Sequence, residues 1–299
     1  MKTLLLQLDT DKFANTFDRI TAYQAGIDHV LSYGDVTVED VRGLMHGLMF
    51  TRPPEDLRQT AVFIGGRRLD VCEQILEAAK KVMFDPFCIS LMLDSNGCNT
   101  ASSAAVALIE SHVNLRGAKV VVLGGFGPVG LRSARLLARD GAKVIVTSLP
   151  RQLFAESWDE LRYRHDLGLA MAQSQEDGFE ILQAKSLSDM VSALEGAQGA
   201  LAAGPADVQL LKEEDWQPNP SLEVLGDLNV APPPGIAGIG LHMHGKQQDG
   251  RILYGGLGIG GFKMKVHKSA LRRLFEEDVV LDADGIYAIA KELLSKSKS

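Results

Sequence analysis

The sequence predicts an α/β protein of two α/β domains, the second built on a Rossmann-type parallel sheet. Three observations carry that expectation. Strand-like and helix-like segments alternate from the N-terminus onward. Lys119–Leu123, residues 129–139 and Lys143–Thr147 make one right-handed βαβ unit of about 30 residues. The glycines Gly125, Gly127 and Gly130 fall in the turn between the first strand and the helix of that unit. At 299 residues the chain is long enough for two ordinary cores.

The elements follow in order. Residues 3–8 are a strand; their apolar run stops at Asp9, too short for a signal or membrane segment. Residues 11–25 form an acid-started helix, 38–50 a second helix and 60–64 a β-branched strand ended by Gly65-Gly66. The amphipathic pattern of 70–82 is helical, and 87–93 is a third apolar run. A polar turn, Asp94-Ser95-Asn96-Gly97-Cys98-Asn99-Thr100, leads to a small-residue helix over 101–112, and the domain crossing is placed there. After the βαβ unit, 155–172 is helical, 180–183 a strand, 187–194 a helix, and 199–203 and 222–227 are strands. Pro232-Pro233-Pro234-Gly235 is a rigid extended loop. A second glycine cluster occupies 255–261, with helices over 267–276 and 284–295. The expected domains are therefore 1–100 with 266–299, and 101–265.

Composition narrows the function. A net charge of −7, from 38 acids against 31 bases, argues against nucleic acid as a partner. Three cysteines without a CxxC pair point to a reducing cytoplasm and away from a disulfide scaffold or a cysteine-built zinc site. His29, His242, His244 and His267 supply no third ligand at metal spacing; His242 and His244 alone would share a face if they stood on a strand. No metal is expected, and His267 reads as structural.

Gly125-Phe126-Gly127-Pro128-Val129-Gly130 is the GxGxxG fingerprint, and here it has the strand–turn–helix setting that the fingerprint requires. Gly125 permits the tight turn, Gly127 lets the backbone approach a pyrophosphate, and Gly130 allows close helix–strand packing. The diphosphate would sit on N–H groups at the helix N-terminus. After the second strand, where an NAD site usually carries an acid for the ribose 2′-hydroxyl, stand Thr147-Ser148-Leu149-Pro150-Arg151. Ser148 and Arg151 suit a 2′-phosphate, so NADP is expected, with NAD possible.

Several segments then carry a resemblance: residues 93–100, the turn 124–130, Asp227-Leu228-Asn229-Val230-Ala231 with the prolines and Gly235-Ile236, and 256–267 with Lys263 and Lys265. Gln7–Asp11 and the stretch 23–34 with Asp28-His29 match as well. In that order and spacing the chain resembles the NAD(P)-dependent methylene-tetrahydromethanopterin dehydrogenases of one-carbon metabolism, over nearly its whole length. The resemblance implies two α/β domains with an interdomain cleft, and hydride transfer from a methylene-tetrahydropterin to the nicotinamide. It further implies Lys263 as the catalytic lysine contacting the pterin. Asp94, Asn96 and Asn99 carry carboxylate and amide groups that suit pterin ring edges and, equally, turns and helix caps; with Asp18 and Lys265 they are the candidate substrate-binding residues. Ala203, Gly204 and Asn229 join Gly125, Phe126, Gly127, Pro128, Val129, Gly130, Ser148 and Arg151 on the cofactor side. The chain departs from the family at Cys98, where a small hydroxyl residue is expected, and from Ser148 to about Gly178.

The implied reaction explains why no nucleophile–base pair stands out. Loss of hydride from a carbon between two nitrogens leaves an amidinium-like cation, and no proton moves; the protein mainly orients the reacting carbons. A methylene-tetrahydrofolate dehydrogenase has the same reacting carbon, and a non-catalytic dinucleotide sensor is the alternative outside enzymes. Lys263 and Lys265 share a face if the glycine run leads into an extended segment. Gly97 and residues 258–261 flank the two crossings as candidate hinges. A homo-oligomer is expected, without a membrane partner.

Overall fold

The computed structural model describes residues 2–154, 160–206 and 208–298. In chain order its elements are β1 (Leu4–Asp9), α1 (Thr16–Gln24), β2 (His29–Tyr33), α2 (Val38–Met49), β3 (Thr60–Gly65), α3 (Leu69–Val82), β4 (Ser90–Leu93) and α4 (Cys98–Glu110). Next come β5 (Lys119–Leu123), α5 (Pro128–Arg139), β6 (Lys143–Thr147), α6 (Glu160–Asp177), β7 (Glu180–Leu182), α7 (Leu187–Ala193) and β8 (Gly199–Ala202). The chain closes with α8 (Glu213–Trp216), β9 (Val224–Asp227), β10 (His244–Gln248), β11 (Arg251–Tyr254), α9 (Gly256–Glu276), β12 (Val280–Leu281) and α10 (Ala283–Lys298). Two compact units result, Met1–Thr100 with Met264–Ser299, and Ala101–Lys263, so the second crossing falls two residues before the expected one.

In the first unit the strands run in the order β12-β4-β3-β1-β2, all parallel. Parallel strands are covered on both faces, which is why β1 and β3 read as continuous apolar runs. On α2, Val41, Met45, Leu48 and Met49 recur at helical spacing and are buried, each contributing about 2 kcal/mol by leaving water. That helix starts at a Thr37/Asp40 capping box. The α3 residues Cys72, Ile75, Leu76 and Ala79 pack into the same core.

The second unit holds a seven-stranded sheet ordered β10-β11-β9-β8-β5-β6-β7, parallel except for the antiparallel edge β10. Renumbered from β5, the parallel part runs 3-2-1-4-5-6, the order of doubly wound dinucleotide-binding sheets. Several elements differ from expectation. α1 begins at Thr16, where Asn15 caps it, rather than at Asp11. The strand of the 87–93 run covers only Ser90–Leu93, and α4 begins at Cys98 rather than Ala101. Residues 155–159 at the start of the helix expected over 155–172 lie outside the described residues, and α6 extends to Asp177. The glycine cluster is helical, forming the first turns of α9. Among the described residues no helix is long and apolar enough to cross a membrane.

Candidate functional site

The glycine turn sits at the C-terminal end of β5, the topological switch point where the chain leaves for β6 on one side and β8 on the other. Its left-handed residue is Gly124 (φ +63°), one position before the fingerprint. The Gly124 N–H donates to Thr147 Oγ1 (3.0 Å), and the Gly125 N–H donates to the Thr147 carbonyl (3.0 Å). Gly125 is glycine because a Cβ would lie 2.6 Å from Val122 Cγ1. Gly130 packs against Gly125 itself: a Cβ there would lie 2.6 Å from the Gly125 carbonyl carbon. Gly127, the N-cap of α5, has open space where its Cβ would point. Pro128 at the first helical position lacks an N–H, so Val129 and Gly130 carry first-turn N–H groups that a helix leaves without intrahelical acceptors. Open space over Gly127 and N–H groups at a helix N-terminus are what a diphosphate needs. Phe126 lies in the same turn, half-buried.

The other cofactor-side residues surround this point. Ala203 and Gly204 follow β8, the neighbour of β5 across the switch point, and the Ala203 N–H donates to the Leu123 carbonyl. A Cβ on Gly124 would stand 3.0 Å from Gly204 Cα, so the two loops meet backbone to backbone. Ser148 is 1% exposed; its N–H donates to the Leu182 carbonyl, and among the described residues its hydroxyl finds no partner. Arg151 is exposed on the turn that follows. Asn229 uses its side chain locally, donating to the Pro233 carbonyl and accepting from the Ala231 N–H (both 2.9 Å). Asp227, which sequence reasoning did not single out, anchors this proline loop: its carboxylate accepts the N–H groups of Asn229 (2.9 Å) and Ile236 (3.1 Å). Burial raises its pKa against those hydrogen bonds.

On the first unit the polar turn is mostly self-satisfied. Asp94 Oδ1 accepts the N–H groups of Asn99 (2.9 Å) and Thr100 (3.1 Å), and Oδ2 accepts the Thr100 hydroxyl (2.7 Å). The Asn99 amide donates to the Leu93 carbonyl (2.7 Å). Both side chains are buried and hold the start of α4, the capping role of Asx residues. Asn96 alone of the three is exposed, in the left-handed region (φ +47°), with Gly97 after it at +71°. Cys98 is buried beside Asn99.

Asp18 lies buried on the first turn of α1. It shares a location with Asp9, which sequence reasoning missed because Asp9 looked like the end of a strand. A methyl group placed on Gly65 would meet Asp18 Oδ2 at 3.6 Å and Asp9 Oδ2 at 3.7 Å. Burial, with Asp11 nearby, raises the Asp9 pKa although it accepts the N–H groups of Asp11 and Asn15.

The two lysines do not share a face. Both lie in α9, where two positions are about 200° apart around the axis. Lys263 is half-buried, flanking the buried side of Ile259, Phe262 and Val266; Lys265 is exposed on the opposite side. Two glycines of this helix are packing residues. A Cβ on Gly256 would meet the Asn229 backbone carbonyl, and one on Gly258 the carbonyl of Met243. The proposed hinge at 258–261 is therefore regular helix. His267 lies within α9, not at a helix start; fully buried, it stacks on Phe63 at 5.9 Å. His244 stands on β10 while His242 precedes it in a turn, so they are not a strand pair. Among the described residues no three His, Cys, Asp or Glu side chains gather as metal ligands.

Fold and glycine turn together define a dinucleotide-binding protein of two doubly wound α/β units. Residues 16–96 match the family described as methylene-tetrahydromethanopterin dehydrogenase, N-terminal. The chain is 38% identical over 295 residues to the bifunctional protein MdtA of Methylorubrum extorquens, covering 98% of this chain and 99% of that protein. It is 29% identical, over 98% of this chain and 99% of the other, to the NAD(P)-dependent methylenetetrahydromethanopterin dehydrogenase of the same organism. It belongs to the methylene-tetrahydromethanopterin dehydrogenase family. Among solved structures, a chorismate mutase/shikimate 5-dehydrogenase fusion protein from Clostridium acetobutylicum shares the fold, with a TM-score of 0.51 over 100% of both chains at 13% identity.

Proposed function

We propose that the protein oxidises the methylene form of a tetrahydromethanopterin-type one-carbon carrier to the methenyl form, with NADP as acceptor and NAD as a possible substitute. The observation that carries the reading is the open glycine turn at the switch point of a 3-2-1-4-5-6 sheet, in a chain related along its whole length to dehydrogenases of this kind. When bound, the oxidised nicotinamide supplies a two-electron acceptor. The C–H bond of the methylene carbon breaks, its electron pair leaves with the hydrogen, and the two flanking nitrogens stabilise the resulting cation. No proton changes hands, so the protein's contribution is orientation and field.

The roles then distribute as follows. Gly127 and the N–H groups of Val129 and Gly130 hold the diphosphate, with Gly125, Phe126 and Pro128 shaping the turn and Ala203 and Gly204 closing its side. Ser148 and Arg151 stand beside the adenosine ribose, and Asn229 keeps its loop in place. Lys263 is the active-site lysine, favoured over the exposed Lys265 by its half-buried position. Asp18 and Asn96 are the side chains offered to the pterin, and Asp94 and Asn99 hold the turn that presents Asn96. Cys72, Cys88 and Cys98, none of them in a disulfide, suit a reducing cytoplasm. The exposed Leu31 and Tyr33 on edge strand β2 support a homo-oligomer, readable by light scattering.

The test is direct. Purified protein is mixed with methylene-tetrahydromethanopterin or methylene-tetrahydrofolate and with NADP or NAD, and reduced nicotinamide is followed by absorbance. Turnover is expected with the methanopterin carrier, faster with NADP. Dinucleotide binding without turnover of either carrier would overturn the reading in favour of a sensor.

A further inference from the structure

The first unit has its own switch point, and nothing above assigns the exposed aromatic ring that stands there. Its strand order, read as 2-1-3-4-5, reverses between β1 and β3, and ligands of such sheets sit outside the strand C-termini at that reversal. The loop leaving β1 is Thr10-Asp11-Lys12-Phe13-Ala14-Asn15, and Phe13 is 79% exposed, more than any other large apolar side chain among the described residues.

A lone exposed Phe needs no explanation. This one sits on a loop fixed from several sides. Asp9 accepts the N–H groups of Asp11 (2.9 Å) and Asn15 (2.8 Å), and buried Gln7 donates to the Asn15 carbonyl (3.1 Å). The Asp11 carbonyl accepts the Asp35 N–H (2.8 Å). Gly34 is glycine where the Lys12 carbonyl presses on it. Asp11 and Arg67 pair at 3.1 Å, tying this loop to the one leaving β3. The loop's backbone is thus held, while its largest side chain is left in water with the Lys12 ammonium 5.5 Å from the ring centroid. A planar ring on a fixed support is pre-organised for stacking, because little motion is lost when a second ring settles on it.

We propose that Phe13 is a stacking platform for a ring of the pterin carrier, so that the β1–α1 loop contributes to carrier affinity. This rests on the carrier assigned above. The experiment compares wild type, Phe13→Ala and Phe13→Trp. Calorimetry gives the Kd of reduced tetrahydromethanopterin and of NADP, and steady-state kinetics gives KM and kcat. Phe13→Ala is expected to raise carrier Kd and KM about tenfold, the size of one lost aromatic pair. It should move kcat by less than KM and leave NADP Kd as in wild type, with Phe13→Trp restoring carrier affinity. Equal carrier Kd in wild type and Phe13→Ala overturns the platform. Carrier binding without turnover in wild type, with the tenfold loss in Phe13→Ala, upholds the platform and counts only against the dehydrogenase reading. No carrier binding by wild type overturns both.

Discussion

Alanine at Gly127 and alanine at Gly130 separate ligand approach from internal packing within one turn. At Gly130 a Cβ would lie 2.6 Å from the Gly125 carbonyl carbon and nearer still to other Gly125 backbone atoms. Backbone cannot rotate aside as a flexible side chain can, so the turn must open. Forced overpacking of this kind costs about 1–3 kcal/mol, and at roughly 2–4 °C per kcal/mol the Tm falls by about 5 °C. At Gly127 nothing lies within 4 Å of the added methyl, and φ is −79°, an ordinary value for alanine. The cost to the apoprotein is that of a weaker N-cap, about 0.5 kcal/mol. The methyl instead occupies the space over the first-turn N–H groups, so NADP Kd should rise at least tenfold, about 1.4 kcal/mol. The assay is thermal denaturation with and without NADP, alongside calorimetric titration. At a fixed NADP concentration well above Kd, the stabilisation by ligand in Gly127→Ala should shrink by about the same 1.4 kcal/mol. Wild-type NADP affinity in Gly127→Ala would refute the reasoning, as would a wild-type melting curve for Gly130→Ala.

Three further expectations follow. Asp227→Asn sets an amide NH2 against one of two backbone N–H groups that the carboxylate now accepts, and should lose about 1–3 kcal/mol of stability in urea titration. Lys263→Ala should lower kcat/KM for the carrier about 10- to 100-fold, as loss of one charge-assisted hydrogen bond would, without changing NADP Kd; an equal fall in Lys265→Ala would contradict the separation of the two on α9. Lys296, and then Arg273 at 2.7 Å, hold the Glu292 carboxyl below its ordinary value, so its contribution is present above about pH 4.5 and is lost as pH falls through the lower folded value. The pair is part-exposed and worth about half a kcal/mol; Glu292→Gln should remove that much at neutral pH and nothing in strong acid, as melting curves across pH would show.

What was legible in the sequence is what local pattern controls. The β5–α5–β6 unit could be read because its strands are buried apolar runs and its turn needs glycine for reasons internal to the turn. β2 was hidden because an edge strand alternates: Val30 is buried while His29, Leu31 and Tyr33 are exposed. α9 was misread for the opposite reason. Five glycines in seven residues, from Gly255 to Gly261 with Leu257 and Ile259 between them, carry poor helix propensity; the run that reads as a loop is helical from Gly256 on, with carbonyls of residues 229 and 243 pressing where side chains of Gly256 and Gly258 would be. Local propensity cannot see a neighbour distant in sequence. The polar turn at 94–100 shows the same limit in chemistry. Carboxylate and amide groups suit a ligand or a helix start equally, and only the hydrogen bonds of Asp94 and Asn99 reveal that these two serve the helix.

The two switch points differ in the charge they offer, and that difference bears on the proposed ligands. At the β5 switch point the chain presents glycine, backbone N–H groups and the positive end of α5, which favour a phosphate. At the β1 switch point it presents two carboxylates, Asp9 and Asp18, both near Gly65, together with carbonyl groups of Gly65 and Gly66 that already accept bonds from Cys72 and Ser95. A phosphate there would meet like charge in a partly buried setting, where repulsion is poorly screened. A neutral ring edge bearing amino and lactam N–H groups would meet acceptors. This contrast supports the proposed roles, with the dinucleotide at the second unit and the pterin at the first. Because the hydride step moves no proton, the raised pKa of Asp9 needs no acid–base role: the carboxylate shapes the loop that carries Phe13, and burial is what holding that loop costs it.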